Sequence, residues 1–203
     1  MMANIIVEFF GRGGPVMYPI LLCALVAVAV VGERSFWWLR EASRRDPKKL
    51  EAILAALENG DVAGAAKMAE GSRDPVIRMM HHGLCHVHTS LQGALELGAG
   101  IELERAGRFL TVMDTLVTLS PLLGLLGTVT GLMQAFLSVG SAELSVTAVT
   151  GGIGVAHIAT ACGLGIAIFS LVPFNYFNGR LARLQFELEA AATNVELMVQ
   201  RPK

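Results

Sequence analysis

Three long apolar stretches constrain the fold of this 203-residue chain more than any other feature. They run from Val16 to Leu39, from Phe109 to Val139 and from Ala148 to Phe177, and each is long enough for the roughly 20 helical residues that cross a bilayer core. Only 16% of the residues are charged, whereas soluble domains have about a quarter. We therefore predict an all-α membrane protein with three transmembrane helices.

The basic residues indicate the direction of each span. They lie after span one, before span two and after span three: Arg40, Arg44, Arg45, Lys48, Lys49, Arg105, Arg108, Arg180 and Arg183. The loop 140–147 contains no Lys or Arg. The positive-inside rule then places the N-terminus outside and the C-terminus in the cytoplasm. Because the positive charges follow the first apolar run, that run does not resemble a cleaved signal peptide.

The chain between spans one and two is polar and has helix signals. Lys48 to Glu58 is periodic, Asn59-Gly60 is a stop signal, and Asp61 and Asp74-Pro75 can begin new helices. Ser90 can cap a further helix that leads into span two without a breaker. The stretch after span three continues its helix, so spans two and three are predicted to be the membrane halves of two helices of about 70 Å each.

These patterns predict seven segments along the chain. They are a periplasmic segment (1–15), TM helix 1 (16–39), a small cytoplasmic helical domain (40–108), TM helix 2 (109–139), a periplasmic loop (140–147), TM helix 3 (148–177) and a cytoplasmic C-terminal helix (178–203).

Spans two and three each have a face of small residues. In span two, Pro121, Gly124 and Thr128 share a face, and Gly127 and Gly131 form a GxxxG pair. In span three the corresponding residues are Ala156, His157, Ala159, Thr160, Gly163 and Ala167. Such faces permit close helix approach, although the glycines alone are equally well explained by ordinary helix packing.

Two threonines indicate an ion pathway. Thr128 and Thr160 lie mid-span on antiparallel helices, so they can meet at one depth, and hydroxyls both donate and accept hydrogen bonds. A lone threonine more often bonds back to its own helix. No acidic or basic residue lies in the middle of spans two or three, so a partner must supply any proton-carrying carboxylate. Asp114, near the inner end of span two, is either an exit relay or an interfacial charge paired with an Arg.

Pro121 to Phe136 resembles the most characteristic segment of the MotA/TolQ/ExbB proton-channel family. The resemblance covers nearly the whole chain and is weakest over residues 48–92. It also includes these motifs: Gly13 to Pro19, Glu33-Arg34, Ala159 to Leu164, and Phe174-Asn175-Tyr176-Phe177.

The resemblance implies a homopentamer in the bacterial inner membrane, with spans two and three around the single-span helices of an ExbD/TolR-like dimer. A membrane Asp of that partner would transport the ion, a proton or sodium, and a TonB-like protein could join the complex. Thr128 and Thr160 match the polar residues that face this Asp, and Pro121 matches the family's proline. An ExbB-like transport role is preferred to a TolQ-like role in envelope maintenance, and the short cytoplasmic insert disfavours a MotA-like motor stator.

One position departs from the family pattern. Where ExbB and TolQ have a Glu before the Ala-Thr-Ala motif, this chain has Val155. His157 lies one turn from Thr160 on the same face, where it can replace the Glu as a titrating polar group or simply form a hydrogen bond at a helix interface.

Other classes of function are weaker. The net charge of -1 and the absence of a basic, aromatic patch argue against nucleic acid as a partner. No HExxH or GxSxG motif indicates an enzyme. The i,i+4 pairs within His81 to His88 do not complete a four-ligand zinc site, so no metal or cofactor is expected. A membrane scaffold that oligomerises without conducting ions stays open.

Overall fold

The computed structural model describes residues 14–139 and 146–199. Within these ranges the chain forms seven α-helices and no strands. They are α1 (Met17–Ala42), α2 (Pro47–Glu58), α3 (Val62–Ala69), α4 (Pro75–Leu84), α5 (Val87–Gly107), α6 (Leu110–Val139) and α7 (Val146–Val199). Three stretches are long and apolar enough to cross a membrane, Met17–Ala42, Val87–Leu137 and Ala156–Val199. The predicted all-α class with three spanning helices is therefore confirmed.

The chain divides into two compact units. The first, here called the apolar unit, contains Met1–Glu33 and Phe109–Asn175. The second, here called the charged unit, contains Arg34–Arg108 and Tyr176–Lys203. Helix α7 continues through 54 residues, a length of about 80 Å at 1.5 Å per residue, so the prediction that span three belongs to a very long helix is confirmed.

Two buried apolar clusters hold the apolar unit together. One buried cluster joins Val16, Met17 and Ile20 at the start of α1 to Ala159 of α7. A second joins Cys23 and Ala27 of α1 to Leu116 of α6. The large apolar side chains mostly point outward instead: Leu22, Leu25, Leu122, Leu125, Val129, Phe136, Ile168 and Val172 are all exposed. An apolar outer surface of this kind suits a lipid environment or further subunits.

In the charged unit, aspartates begin three consecutive helices. The carboxylates of Asp46, Asp61 and Asp74 accept hydrogen bonds from the backbone N–H groups of Lys49, Gly64 and Val76 at 3.1, 2.8 and 2.9 Å. These bonds satisfy donors that the first turn of a helix leaves without partners. Helix α2 ends at Glu58, and Gly60 follows it with a φ of 78°. The stop and start signals predicted around residues 59–61 and 74–75 are therefore confirmed, as is Ser90, whose hydroxyl accepts from the Gly93 N–H at 3.3 Å.

The core of the charged unit combines apolar packing with a buried ion network. Ile53, Leu57, Ile77, Met80 and Leu95 are among its most buried side chains. Beside them, two buried glutamates share one guanidinium: Arg78 donates to Glu102 through Nε at 3.0 Å and through a terminal nitrogen, and to Glu41 at 3.3 Å. Burial alone lowers the pKa of Arg78, but its hydrogen bonds and charge attraction to Glu102 and Glu41 outweigh this effect and raise the pKa.

One prediction about span two is wrong. The helix before it does not lead into the span without a break, because α5 ends at Gly107 and α6 begins at Leu110. Arg108 has an extended ψ of 135°, and Phe109 has a φ of 64°, a left-handed conformation that is costly for a bulky residue.

Arg34 compensates part of this break. Its side chain is buried, and one terminal nitrogen donates to the carbonyls of Arg105 and Ala106 at 3.3 and 3.4 Å. These carbonyls belong to the last turn of α5, where no helical N–H group is available to bond to them. The helix macrodipole also favours a cation at this end.

Candidate functional site in the apolar unit

Glycines set the distance between α6 and α7. A Cβ added at Gly124 would lie 2.9 Å from the Cα of Thr160, and one added at Gly163 would overlap the carbonyl oxygen of Ser120. A Cβ at Gly127 would overlap the side chain of Ala159. The two backbones therefore approach more closely than any larger residue allows, which is the packing expected of small-residue faces in membrane helices.

The two predicted pathway threonines have different hydrogen-bond partners. Thr160 of α7 donates across the helix contact to the carbonyl oxygen of Gly124 at 2.9 Å. Thr128 of α6 instead donates to Leu125 of its own helix at 2.7 Å. Because Gly124 lies opposite Thr160, Thr128 is four residues further along α6, an offset of about 6 Å. The two threonines therefore lie about one helical turn apart along α6.

His157 and Asp114 have side chains that are exposed on the surface of the chain. Asp114 is in the second turn of α6, and its backbone carbonyl accepts from the hydroxyl of Thr118 at 3.2 Å. Such outward positions place both residues where another subunit could contact them.

The remaining predicted packing residues lie within α6. Pro121 is inside the helix, and because it has no N–H, the carbonyl of Val117 loses its usual helical donor. Gly131 is buried. The side chain of Val155, the predicted departure from the family pattern, is outside the described residues, as is most of the loop 140–147.

Sequence reasoning missed two buried serines. Ser120 and Ser170 are fully buried, and their hydroxyl oxygens have no hydrogen-bond partner in the described part of the chain. Ser120 precedes Gly124 by four residues and so extends the same small-residue face. This four-residue spacing could have identified Ser120 as part of the face. A serine between Leu119 and Pro121 is, however, also common in a membrane helix, so the signal is weak.

The histidine-rich stretch of the charged unit forms local contacts. The rings of His82 and His86 stack with centroids 5.2 Å apart, and the sulfur of Cys85 is 3.7 Å from Nε2 of His81. Across residues 14–139 and 146–199, no three His, Cys, Asp or Glu side chains are grouped to hold a metal ion.

Comparison with known proteins assigns the family. The model of the MotA/TolQ/ExbB proton channel family matches residues 72–190. A putative biopolymer transport protein of Synechocystis sp., ExbB-like 3, is 33% identical over 93% of this chain and 92% of its own length. A second Synechocystis protein, ExbB-like 1, is 33% identical over 95% of this chain and 78% of its own. The biopolymer transport protein exbB1 of Vibrio cholerae is 29% identical over 92% and 85%.

The match covers more than half of the chain and includes the glycine contact, both threonines, and Arg78 and Glu102 of the ion network. This chain therefore belongs to the MotA/TolQ/ExbB proton channel family, and it is a membrane protein. The predicted resemblance is confirmed. This is a family of channel proteins and not of enzymes.

Proposed function

We propose that this chain is the pore-wall subunit of an ExbB-like complex that uses the proton gradient of a bacterial inner membrane to drive transport at the outer membrane. The family match supports the channel class, and the biopolymer transport named for its relatives supports the output. The N-terminus is periplasmic and the C-terminus cytoplasmic in this proposal, as the distribution of Lys and Arg predicts.

The complex consists of a homopentamer of this chain around an ExbD/TolR-like dimer. Two observations support it. The exposed faces of α6 and α7 are apolar, with Leu125, Val129 and Val172 more than half exposed, so these helices have surface available for other subunits. Residues 115–139 and 146–177 contain no Asp, Glu, Lys or Arg, so the carboxylate that carries the ion belongs to the partner.

Thr160 carries the proposal for the ion pathway. Its hydroxyl links α7 to α6 through the Gly124 carbonyl. A hydroxyl held in this orientation can accept a hydrogen bond from a protonated carboxyl group while it donates to the carbonyl. In this proposal the ion pathway continues from Thr160 to Thr128, one helical turn away. His157 lies at the outer end of the pathway, and Asp114 lies at its inner end.

The test is ion flux in proteoliposomes that contain this chain and its single-span partner. Thr160→Val keeps the shape of the side chain and removes the hydroxyl, so we expect flux to fall at least about tenfold, as for loss of one positioned polar group. Thr160→Ser should restore most of it. The matched control is Thr130→Val, because Thr130 bonds to Leu126 and Gly127 of its own helix.

Assembly must be measured on the same samples, by size-exclusion chromatography of the purified complex. Loss of flux with an intact complex supports the pathway role of Thr160. Equal flux in Thr160→Val and wild type removes that role, and loss of flux in the Thr130→Val control shows that the assay responds to helix packing instead.

A non-conducting scaffold is the second candidate. The observation in its favour is that both threonine hydroxyls already donate to backbone carbonyls, which is sufficient for helix packing without ion transfer. A partner-bound complex that passes no ions under a proton or a sodium gradient would establish this candidate. A MotA-like motor stator would conduct ions in the same assay and differ in the partner.

A further inference from the structure

The cations that follow span one fall into two groups. Arg44 and Arg45 have partners inside the charged unit: Arg44 donates to Glu41 at 3.2 Å, and Arg45 bonds to Asp74 at 3.4 Å and to Glu187. For Arg40, Lys48 and Lys49, no described residue forms an ion pair. Arg40 and Lys48 are exposed, and Lys49 is half-exposed. Ion pairs within the charged unit therefore account for Arg44 and Arg45 but not for the other three cations.

The positions of Lys48 and Lys49 are unfavourable for the helix that contains them. They lie in the first turn of α2, after the N-cap Asp46 and Pro47, and this turn has no acidic residue. The N-terminal end of a helix carries a partial positive charge, so Asp or Glu stabilises this turn and Lys destabilises it. Helix stability therefore does not explain two lysines at this position, whereas binding of an external anion would explain them.

Apolar surface lies beside Arg40. Phe36 and Leu39, near the end of α1, are 67% and 70% exposed, and Arg40 follows directly. Exposed apolar and aromatic side chains next to cations are typical of a helix end at the membrane interface, where acyl chains and headgroup phosphates meet.

Asp74 holds the turn between α1 and α2 in place. Both carboxylate oxygens of Asp74 contact it, one through Arg45 and the other through the backbone N–H of Asp46 at 3.0 Å. Because Asp74 is buried, this turn is held against the charged unit, and the start of α2 is held with it.

We propose that Phe36, Leu39, Arg40, Lys48 and Lys49 form a binding site for anionic phospholipid, such as phosphatidylglycerol, in the leaflet at the C-terminal end of span one. The three cations bind the headgroup phosphate, and the two apolar side chains contact the acyl chains. The site is separate from the α6–α7 contact and does not depend on ion conduction.

The two tryptophans of the chain are the probe for this site, because Trp37 and Trp38 lie between Phe36 and Leu39. The full-length protein is reconstituted into phosphatidylcholine vesicles that contain equal mole fractions of either brominated phosphatidylglycerol or brominated phosphatidylcholine. Bromine quenches tryptophan fluorescence only at short range. We expect the brominated phosphatidylglycerol to quench more strongly, and added salt to reduce the difference.

Two double variants each remove two positive charges from the charged unit, at different places. Lys48→Gln/Lys49→Gln should lower the relative binding constant for phosphatidylglycerol at least about fivefold. Lys67→Gln/Arg73→Gln, which neutralises two exposed cations elsewhere in the unit, should leave it unchanged. Lys48→Arg/Lys49→Arg should retain the preference. The melting temperature of the first variant should not fall, because its lysines disfavour the helix.

Three results would overturn the proposal. Equal quenching of the wild-type protein by both brominated lipids means that no anionic lipid is selected. An equal loss in the Lys67/Arg73 variant means that only the total charge matters. Full displacement of the lipid preference by free inorganic phosphate at constant ionic strength means that the site binds phosphate and not a membrane lipid.

Discussion

The two units of this chain are stabilised by opposite means. In the apolar unit, α6 and α7 touch through Gly124, Gly127 and Gly163, while large leucines and valines face outward. In the charged unit a core of large apolar side chains, such as Ile53 and Leu95, is buried, and buried glutamates bind arginines between the helices. The first arrangement suits a solvent that is as apolar as leucine, where close backbone packing gives the contact energy.

The difference shows which interactions stabilise each unit. A surface cannot attract helices by the hydrophobic effect when it faces lipid, so the apolar unit requires fit between backbones. The charged unit gains from apolar burial but must pair each charge that it buries. Mutations of glycine should therefore be most harmful in the first unit, and mutations of carboxylates in the second.

The largest effect is expected at Glu102. This buried carboxylate accepts hydrogen bonds from Arg78 and from Arg105, the latter at 3.1 Å. Glu102→Gln removes the charge and leaves Arg78 less compensated, so we expect the free energy of unfolding of the charged unit to fall by about 3 kcal/mol. The measurement is urea unfolding in detergent micelles, followed by the fluorescence of Trp37 and Trp38.

Glu104 is the matched control for this prediction. It lies on the same helix two residues away and is exposed, so Glu104→Gln should change the unfolding free energy by less than about 0.5 kcal/mol. Similar losses in both variants would mean that the ion network contributes no more than a surface charge, and the contrast between the two units would then rest on the glycines alone.

A smaller effect is expected at Gly163. The added Cβ of Gly163→Ala would overlap a backbone oxygen of Ser120, and a backbone atom cannot rotate away, so α6 and α7 must separate. We expect a loss of about 1–3 kcal/mol, measured by the SDS concentration at which the far-ultraviolet circular dichroism of the helices changes. Gly165→Ala is the control on the same helix, because nothing lies within 4 Å of its added Cβ.

Gly83 of the charged unit sharpens this prediction. An added Cβ there would also overlap a neighbour, but the neighbour is the flexible side chain of Leu95. Gly83→Ala should therefore cost less than Gly163→Ala. The reverse order would contradict the view that backbone fit matters more in the apolar unit.

Local signals in the sequence predicted the helices and most of their ends. The apolar lengths gave the three spans, and Asn59, Asp61 and Asp74 marked helix ends because capping depends on residues two or three positions apart. The break at Arg108 and Phe109 was not predicted. It depends on Arg34, more than 70 residues earlier, which bonds to the carbonyls that the break leaves open.

The small-residue faces of the α6–α7 contact could be predicted, but the register of that contact could not, and the ion-pathway residues stay a prediction. Spacing identified the small-residue faces and both threonines, since residues on one helix face recur every three or four positions. Which residue of α6 lies opposite Thr160 depends on how far the two helices slide along each other. The close approach of Gly124 and Gly163 decides this, and no pattern within one helix contains that information.

The smallest expected difference is the one between two helix caps of the charged unit. Asp61 is exposed and caps α3 through one bond to Gly64, so Asp61→Ala should cost about 1 kcal/mol. Asp74 is buried and, besides capping α4, accepts from the N–H of Asp46 and from Arg45. Asp74→Ala should therefore cost about 2 kcal/mol, measured by the same urea unfolding.

Hydrogen exchange can locate the two losses. Loss of Asp61 should increase exchange only in the first turn of α3, because its cap bond is local. Loss of Asp74 should increase exchange both at the start of α4 and at the turn before α2, since Asp74 holds both. If exchange at residues 44–49 is unchanged in Asp74→Ala, the turn after span one is held by Arg45 and Glu187 and not by the buried carboxylate, and the charged unit depends less on buried ion pairs than its structure indicates.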